Sequence, residues 1–468
     1  MRALLCLVTA VLLTGCASAH VLPIARVSGD VPCLRSVPEQ DLLFGVALSG
    51  GGTRAALFSA AGLEALAGLR TADGGSVVQK ITHLSSVSGG SLASSYYTLK
   101  KPGREVPVLG PDGTMSEAYR TFFTQYRADL SHDIENALIR RQLLSFRWLN
   151  PALAARTLAE ILRERLFGDA TMGDISRREA NGDTPGLIVN TTLYNNGRRL
   201  ALTTLPSEAF SYDFFSDLRR SLTERGRPIE NVPLIESRWK KLLPMTPLDI
   251  HMDPCPLRLI GAATASASFP PLVGPLTLQV GGEETYWHAG DGGLYENQGL
   301  ESLLFLYLKQ LQLKRTKRVL VLAFDSSFPF SVGERRLGLR SLPFTILTFD
   351  FSRIPSIMEE RATTYQALFF RSLQLEGVFP DSKTLQVLLL RHTDAKWAPD
   401  LSDLPASCKE EKEPLATPQA VTERIAEIPT RLVLPSQCDR DLLAAAGAKL
   451  VAEHRDEIVN FLDGEGRK

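Results

Sequence analysis

The chain has 468 residues, of which 44% are hydrophobic, enough to build one large α/β domain with insertions or two smaller domains. Lys and Arg together number 52, as do Asp and Glu, so the formal net charge is zero. This balance gives no reason to expect a nucleic acid as a partner, since nucleic-acid-binding surfaces are rich in basic residues.

The N-terminus predicts export and lipidation. A mostly apolar run at residues 3–13 follows a basic residue, has the length of a signal-peptide core and is too short to span a bilayer. Residues 13–16, Leu-Thr-Gly-Cys, resemble a bacterial lipobox, in which the chain is cut before the cysteine and the thiol is acylated. We therefore expect residues 1–15 to be a signal peptide and Cys16 to carry lipid. An ordinary signal peptide, cut within residues 17–19, is the alternative.

The lipobox resemblance implies a place in the cell envelope. No acidic residue directly follows Cys16, so the resemblance implies the outer membrane, where several acyl chains would anchor the protein firmly. Residues 16–40 contain three prolines and little periodicity, and we expect them to be a lipidated tether. No later segment is predicted to span a membrane, so we expect a soluble body held by the N-terminal lipid.

Two strand–turn–helix units follow in the chain. The apolar run at residues 42–48 ends in Ser-Gly-Gly-Gly, and apolar residues then recur at helical spacing over residues 54–69. A second predicted strand, residues 81–87, stops at Ser88, and residues 91–99 are predicted to be helical. Strand, glycine turn and helix in succession are typical of a doubly wound α/β fold.

The rest of the chain gives weaker signals. Residues 103–180 are richer in charged and aromatic residues and are predicted to be a helical insertion or cap. Three further strands are predicted, at residues 187–193, 257–262 and 318–324. Two helices are predicted after them, one starting at Thr417 and one spanning residues 439–462. We therefore expect a core domain at residues 41–330 and a C-terminal extension at 331–468.

Ser88 is the strongest candidate nucleophile. It stands between Ser86 and Gly90 in a Ser-Val-Ser-Gly-Gly sequence, where the predicted strand turns sharply into a helix. Such a turn projects the serine oxygen outward and leaves room only for small residues two positions before and after it. Ser86 replaces the usual glycine with another small residue. Because turns rich in serine and glycine are common between strands and helices, this pattern alone does not establish a nucleophile.

The glycine run before the first helix predicts an oxyanion hole. Gly50, Gly51 and Gly52 let backbone N–H groups converge on an anion with no Cβ in the way. Acyl transfer needs such donors for its tetrahedral oxyanion, and losing one costs roughly 3–4 kcal/mol. A phosphate-binding loop is the rival interpretation, but no Gly-Lys-Ser or Gly-Lys-Thr sequence is present here. A tight turn alone would rarely need three glycines.

Asp291 is the candidate general base. Gly290, Gly292 and Gly293 surround it, so its carboxylate can approach another stretch of backbone closely. In that position it would take the proton of Ser88. Considered alone, an ordinary Asp-Gly turn is the simpler interpretation of this segment.

These three motifs, in this order, resemble those of the patatin-like phospholipases. Residues 262–270 also resemble the small-residue segment ending in Phe-Pro that precedes the Asp-Gly-Gly motif in that family, and residues 291–297 resemble the extension of that motif to an asparagine. The resemblance covers about residues 42–300. It implies a three-layer α/β/α fold with helical insertions, and hydrolysis of carboxylic esters of lipids through an acyl-enzyme.

The resemblance also implies a role for each motif. Ser88 would be the nucleophile and Asp291 the base of a dyad without histidine, and the N–H groups of residues 50–52 would form the oxyanion hole. Arg54 would steady that loop or meet a lipid phosphate, and a structural ion pair explains it equally well. The implied substrate is a membrane lipid, and neither a metal nor another cofactor is implied.

Two rival functions stay open at this point. An α/β-hydrolase esterase would use a Ser–Asp–His triad, for which His392 or His454 follows in the right order. Neither histidine lies in a glycine-rich or loop context, and the glycine run just before the nucleophile unit favours the dyad. The second rival is a non-catalytic lipoprotein that uses the fold to bind lipid or a partner. The intact Ser88 and Asp291 argue against lost activity.

Four cysteines remain after Cys16, at positions 33, 255, 408 and 438. In an oxidising periplasm four cysteines can pair in three ways. We predict a disulfide between Cys408 and Cys438, which lie in polar sequence on either side of a short predicted helix. Two free thiols, pairing with Cys33 or Cys255, and zinc ligation are the alternatives, although no metal-binding spacing supports zinc.

Overall fold

The computed structural model of the protein describes residues 21–464, with gaps at 148–149, 151–152, 227–232, 271–272, 283, 328–360, several positions within 363–378, and 411–414. The predicted signal peptide and Cys16 therefore lie outside the described residues. Within the described part of the chain, no helix is both long enough and apolar enough to cross a bilayer.

One sheet organises the described residues. Its strands are β1 (Val21–Ile24), β2 (Leu42–Leu48), β3 (His83–Val87), β4 (Gly186–Leu193), β5 (Arg198–Thr203), β6 (Leu276–Val280), β7 (Tyr286–Asp291), β8 (Arg318–Asp325) and β9 (Leu385–Arg391). The helices are α1 (Gly52–Ala67), α2 (Ser88–Lys100), α3 (Glu117–Leu130), α4 (Ile134–Leu144), α5 (Ala154–Leu162), α6 (Met172–Ala180), α7 (Phe214–Glu224), α8 (Pro233–Leu242), α9 (Leu259–Ser266), α10 (Leu300–Gln312), α11 (Ala406–Lys409), α12 (Pro418–Glu427), α13 (Gln437–Glu453) and α14 (Arg455–Asp463).

The sheet brings several strand ends to one edge. Its order is β1-β6-β7-β4-β3-β2-β8-β9, and β5 pairs with β4 beside that path. The strands β4, β3, β2, β8 and β9 run parallel, whereas β7 runs antiparallel to β4 and β6. Leu48, the last residue of β2, is in register with Ser86 of β3 and Phe324 of β8. The carboxyl ends of these strands therefore meet, at the edge where open α/β sheets bind ligands.

Helices cover both faces of the sheet. The reason is visible in β2, since alternate side chains of a strand point to opposite faces. Phe44 and Leu48 pack in one buried cluster with Leu63 of α1 and Leu92 of α2, whereas Leu43 packs in a second buried cluster with residues of α10. The sheet is thus enclosed between two helical layers, and the predicted three-layer α/β/α fold is confirmed.

Most predicted elements are present, and two are corrected. Residues 257–262, predicted to be a strand, lead instead into α9. A short apolar run does not distinguish a strand from a buried helix, and every residue of α9 is buried. The terminal helix predicted over residues 439–462 is interrupted at His454, where α13 ends and α14 begins. The strands β5, β6 and β7 were not predicted.

The predicted insertion forms part of the helical layer. Residues 103–180 contain α3 to α6 and connect the parallel neighbours β3 and β4, so they belong to the crossover between those strands. The ring of Tyr126 in α3 stacks on that of Tyr96 in α2, with centroids 5.0 Å apart. The Tyr126 hydroxyl also donates to the carbonyl of Ala93. The segment therefore packs on the core rather than standing apart from it.

The N-terminal segment belongs to the folded body. β1 pairs in parallel with β6, and Cys33 forms a disulfide with Cys255. The prediction of a tether over residues 16–40 is therefore wrong for residues 21–40. A strand of four residues is too short to produce a recognisable periodic pattern, which is why the sequence did not predict it.

The C-terminal region is also built into the body. β9 extends the sheet beside β8, and α13 packs so closely on α1 that a Cβ on Gly447 would lie 3.1 Å from the Cβ of Ala61. The boundary predicted at residue 330 and the separate extension at 331–468 are therefore corrected. β9 follows β8 only after a long connection, so no regular alternation of strands and helices predicted it.

Two disulfides are present. The bond between Cys408 and Cys438 confirms the predicted pair and joins α11 to α13. The bond between Cys33 and Cys255 ties the N-terminal segment to the loop before α9. Among the described residues, Cys33, Asp253 and Cys255 form the single group of three potential metal ligands, and the disulfide uses both of its thiols.

Candidate active site

Ser88 stands at a sharp turn between β3 and α2. The strand ends at Val87, the helix begins at Ser88, and Ser88 has a φ angle of +50°. A positive φ is unusual for a residue other than glycine, and such strain is concentrated at functional positions. The turn has the geometry of a nucleophile elbow, in which the serine side chain projects from the carboxyl edge of the sheet.

Two glycines allow the elbow to close against the glycine loop. A Cβ on Gly89 would lie 1.9 Å from the carbonyl oxygen of Gly52, and a Cβ on Gly90 would lie 2.4 Å from that of Leu48. Both obstructing atoms belong to the backbone, so neither can swing aside as a side chain would. The two turns therefore pack directly against each other and form one site.

Ser86, the departure from the usual glycine, fits because its hydroxyl has partners. The side chain is buried, lies 2.6 Å from the Ser94 hydroxyl and donates to the carbonyl of Ile188 at 3.3 Å. A buried hydroxyl without such bonds would destabilise the fold, whereas a bonded one does not. The elbow therefore tolerates serine at this position.

A buried network outside the predicted dyad holds the elbow. The backbone N–H of Ser88 donates to the Ser266 hydroxyl at 2.9 Å, and Ser266 in turn donates to the carbonyl of Asn190 at 2.6 Å. The Asn190 side chain donates to the Ser85 hydroxyl and accepts from that of Ser302. The sequence motifs alone indicate no role for Ser266 or Asn190. The segment 262–270 was matched to the family pattern, and this was the available signal for Ser266.

Asp291 ends β7 and lies beside the elbow. It pairs with Thr191 of β4, and its backbone N–H donates to the carbonyl of Ser268 at 3.0 Å. Its side-chain Oδ1 accepts from the Gly293 N–H at 2.8 Å. A Cβ on Gly292 would lie 2.5 Å from the Asn190 carbonyl oxygen, so the chain must carry glycine directly after the aspartate. The sheet thus fixes both the backbone and the carboxylate.

The Asp291 carboxyl has a strongly raised pKa. Burial raises its pKa to about 7, although hydrogen bonds from the Gly293 N–H and the Ser88 hydroxyl act in the opposite direction. Oδ2 is buried and has no hydrogen bond of normal length and angle, so the contact with Ser88 is looser than a standard hydrogen bond. Catalytic hydrogen bonds are often long until substrate binds, and a base whose pKa is near neutrality suits proton transfer at neutral pH.

Gly50 connects all three motifs but does not supply a free donor. Its N–H already donates to the carbonyl of Asn297 at 2.8 Å, in the asparagine-containing extension of the Asp-Gly-Gly motif. A Cβ on Gly50 would lie 2.1 Å from the Asn297 side-chain oxygen and 3.2 Å from the Ser88 Cβ. The expectation that Gly50 contributes to the oxyanion hole is therefore corrected. Its part is to let these segments approach.

Gly51 and Gly52 keep their N–H groups available. Among the described residues, neither N–H has an acceptor in hydrogen-bonding geometry. Both residues have positive φ angles, +140° and +62°, which only glycine adopts readily. They stand at the N-terminus of α1, where unpaired N–H groups and the helix dipole favour a negative charge. These two groups can stabilise an oxyanion.

Arg54 steadies the glycine loop from behind. It is buried, with 1% of its surface exposed, and its guanidinium donates to the carbonyl of Ser326 at 2.7 Å and to that of Ile428 at 2.6 Å. A guanidinium held in this way does not face a lipid headgroup. Of the roles predicted for Arg54, the structure supports the contact within the protein.

The two histidines of the rival triad lie in other surroundings. His392 is buried with its Nδ1 3.3 Å from the Asp325 carbonyl oxygen, and burial, followed by the charge of Arg54, lowers its pKa to about 3. His454 pairs with Glu457 on α14. Within the described residues, the recorded contacts of Ser88 and Asp291 include no histidine.

Tyr194 is a site residue that sequence analysis missed. It directly follows β4, is 43% exposed, and a Cβ on Gly290 would lie 2.7 Å from its ring. Burial and the negative charge of Asp291 both raise the pKa of its hydroxyl. Its place just after a predicted strand was the available signal, since residues at carboxyl strand ends line such sites.

A family model matches the part of the chain that forms this site. The model, described as patatin-like phospholipase, aligns with residues 46–304, more than half of the chain. The chain belongs to the patatin-like phospholipase family. The match includes the glycine loop, Ser88 and Asp291, and membership of this family supports lipid acyl hydrolysis as the general activity.

Two solved structures are similar to this patatin-like protein. Human GIVD cytosolic phospholipase A2 is 12% identical with a TM-score of 0.46, and the match covers 92% of this chain but only 60% of the human one. VipD from Legionella pneumophila is 12% identical with a TM-score of 0.30, and the match covers 90% of this chain and 67% of VipD. The comparison with curated protein sequences finds no match.

Proposed function

We propose that this patatin-like protein hydrolyses carboxylic esters of membrane lipids, with Ser88 as nucleophile and Asp291 as general base. The observation that carries the proposal is the contact between a serine at positive φ and a buried carboxyl whose pKa is about 7. A base of this kind is ionised in a large fraction of molecules at neutral pH and still binds a proton well. No third residue is needed to orient it, because the Gly293 N–H and the β7 backbone hold it.

The proposed reaction proceeds through an acyl-enzyme. The Asp291 carboxylate takes the Ser88 hydroxyl proton while the serine oxygen attacks the ester carbonyl carbon, and the carbonyl oxygen becomes an oxyanion near the Gly51 and Gly52 N–H groups. The ester C–O bond then breaks, and Asp291 returns the proton to the leaving alcohol. Water attacks the acyl-enzyme next with Asp291 again as base, and this step releases the fatty acid and restores Ser88.

The proposal includes a place in the cell envelope. It rests on the lipobox resemblance at residues 13–16, which predicts acylation of Cys16 after removal of residues 1–15. A lipid anchor would hold the enzyme at the surface where its substrate lies. Loss of membrane fractionation in a Cys16→Ser variant would support this part, and unchanged fractionation and mass would contradict it.

Turnover of an ester by paired variants tests the dyad. Ser88→Ala and Asp291→Asn should each lower kcat by at least about 10⁴-fold, and the double variant should be scarcely worse, because the two groups act as a unit. The measurement is hydrolysis of a water-soluble short-chain ester and of a phospholipid, with thermal unfolding to verify the fold.

Asp325→Asn is the matched control. Asp325 is also a buried aspartate at the end of a strand, where it accepts from the Gln298 side chain, and its loss should leave turnover near that of the wild type. His392→Gln should also remain active. Full activity of Asp291→Asn together with loss in His392→Gln would replace the dyad with a triad. A folded wild type without any turnover would favour the non-catalytic lipoprotein.

A further inference from the structure

Helix α4 and the turn after it expose large apolar side chains to solvent. We define the α4 patch as four residues with their exposed fractions: Ile139 (43%), Leu143 (56%), Leu144 (82%) and Phe146 (70%). A surface helix normally places polar residues on its outer face. Contiguous exposed apolar residues on a soluble surface commonly mark an interaction site.

The patch is additional to the face by which α4 packs on the protein. Ile134 and Leu138, four residues apart, are buried against the core. Ile139 and Leu143 have the same spacing one position later, so they form a second apolar stripe turned toward solvent. Phe146 has a φ of +55°, which is strained for a bulky aromatic residue, and it remains largely exposed. The folded chain thus holds this ring in solvent at some energetic cost.

Helix α4 is connected to the proposed oxyanion hole at its N-terminus, the end opposite to Leu143, Leu144 and Phe146. The Ile134 N–H donates to the carbonyl of Leu432, and Glu135 pairs with Arg431. The carbonyl of Arg431 accepts from the Thr53 N–H at 2.8 Å and lies against Gly52. One short segment therefore joins the N-terminus of α4 to the glycine loop. The 11 residues of α4 extend about 16 Å from there, at ~1.5 Å per residue.

The charge beside the patch fits an anionic surface. Arg140 lies on the same outer face and is exposed, and none of the carboxylates in the described ranges forms an ion pair with it. The other basic residues nearby, Arg141 and Arg147, pair with Glu160. A free basic residue beside inserted apolar side chains is typical of segments that bind anionic lipid interfaces.

We propose that the α4 patch docks on the surface of a bilayer containing anionic phospholipids, with Leu144 and Phe146 inserted and Arg140 against the headgroups. This inference rests on the proposed function, because a lipid substrate lies in such a surface. A second copy of the chain fits less well, since a stable protein interface needs about 20 residues on each side and the patch has four.

Vesicle binding tests the proposal without turnover. The protein is used without the predicted signal peptide, residues 1–15, and carries Ser88→Ala, to prevent hydrolysis, and Cys16→Ser, to prevent binding through an acyl anchor. Its partitioning onto vesicles of equimolar phosphatidylcholine and phosphatidylglycerol is measured by flotation. Leu144→Gln with Phe146→Asn should weaken partitioning by at least about tenfold, because each side chain loses its burial in the interface. Asparagine also tolerates the positive φ at position 146.

Leu313→Gln is the matched control. Leu313 is also an exposed leucine, at 45%, but it lies between α10 and β8 at the amino ends of the parallel strands, so the variant should bind as the parent does. Arg140→Gln should weaken binding to the anionic vesicles by about fivefold and leave binding to pure phosphatidylcholine unchanged. The proposal is overturned if the patch variant binds as well as the control, or if it converts a dimer into a monomer.

Hydrolysis assays with Ser88 restored separate this proposal from the proposed function. If both hold, the patch variant loses turnover of vesicle phospholipid by about tenfold and keeps turnover of a water-soluble ester. Full vesicle turnover by the patch variant overturns the docking proposal alone. Absence of turnover on both substrates in the wild type, with vesicle binding intact, overturns the catalytic proposal alone.

Discussion

Two turns of the same kind perform different tasks in this protein. The loop before α1 and the elbow before α2 both connect a parallel strand to a helix through glycines, and they touch each other. In the loop, the positive φ angles fall on Gly51 and Gly52, whose N–H groups have no acceptor among the described residues. In the elbow, the positive φ falls on Ser88, whose hydroxyl projects from the turn. The residue type at the positive φ therefore determines whether a turn leaves backbone donors unpaired or projects a side-chain hydroxyl.

Among changes that leave Ser88 and Asp291 in place, breaking the contact between the turns should have the largest effect. In Gly89→Ala the new Cβ would lie 1.9 Å from the Gly52 carbonyl oxygen, so the loop and the elbow must separate. A displacement of about 1 Å at reacting groups lowers turnover by about 100-fold or more. The measurement is kcat on a soluble ester. Gly274→Ala is the control, because no atom lies within 4 Å of its added Cβ, and equal kcat in both variants would contradict this account.

The pH dependence of kcat/KM should distinguish the two turns, since only the elbow residue Ser88 contacts a titrating carboxyl, that of Asp291. Asp291 must be ionised to accept the serine proton, so kcat/KM should rise with pH through about 7. One pH unit below that value it should be about tenfold below its high-pH plateau. Gly51→Ala should lower the whole profile without shifting it. A shifted midpoint in Gly51→Ala would mean that the loop also sets the pKa of Asp291.

The titration of Asp291 should also affect stability, which should fall over the pH range in which activity rises. The pKa of Asp291 is raised on folding, so between about pH 4 and pH 7 the folded state retains a proton that the unfolded state has lost. The free energy of unfolding should therefore fall as pH rises through this window, by up to about 4 kcal/mol. Denaturant titrations of Asp291→Asn should lack this decrease, and an identical decrease in both proteins would assign it to another group.

Removing a support of the elbow should have the smallest effect. Ser266→Ala deletes the acceptor of the Ser88 N–H and leaves the glycine loop untouched. A buried N–H without a partner costs about 1–3 kcal/mol, so kcat should fall by at least about fivefold with KM unchanged. Because Ser266 acts through Ser88, the split between kcat and KM is the informative readout. A rise in KM alone would indicate a substrate-contacting role instead.

The sequence predicted those parts of the site that depend on a residue type at one place. Three consecutive glycines, a serine among small residues and an aspartate among glycines each impose a local backbone shape, and the structure has these shapes. The central strands were predictable for a similar reason, because burial on both faces demands continuous apolar runs such as that of β8.

The parts of the fold and site that the sequence did not predict depend on contacts between distant segments. Nothing local in residues 49–52 indicates that the Asn297 carbonyl occupies the Gly50 N–H, or that Ser266 supports Ser88. The strands β1 and β9 depend on partners far along the chain, and single-strand patterns do not reveal such pairings. Arg54 had three possible roles in the sequence, and only its burial argues against the contact with a lipid phosphate.

The disulfide between Cys33 and Cys255, together with β1, shortens the length of chain that would separate the proposed lipid anchor from the folded body. A tether extending to residue 40 would let the body move far from the membrane. With Val21 paired in the sheet, Cys16 would carry the proposed acyl group at most about 18 Å from the folded body, since an extended chain spans about 3.6 Å per residue. Under the proposed function, an enzyme held at this distance would act on the lipids around its own anchor.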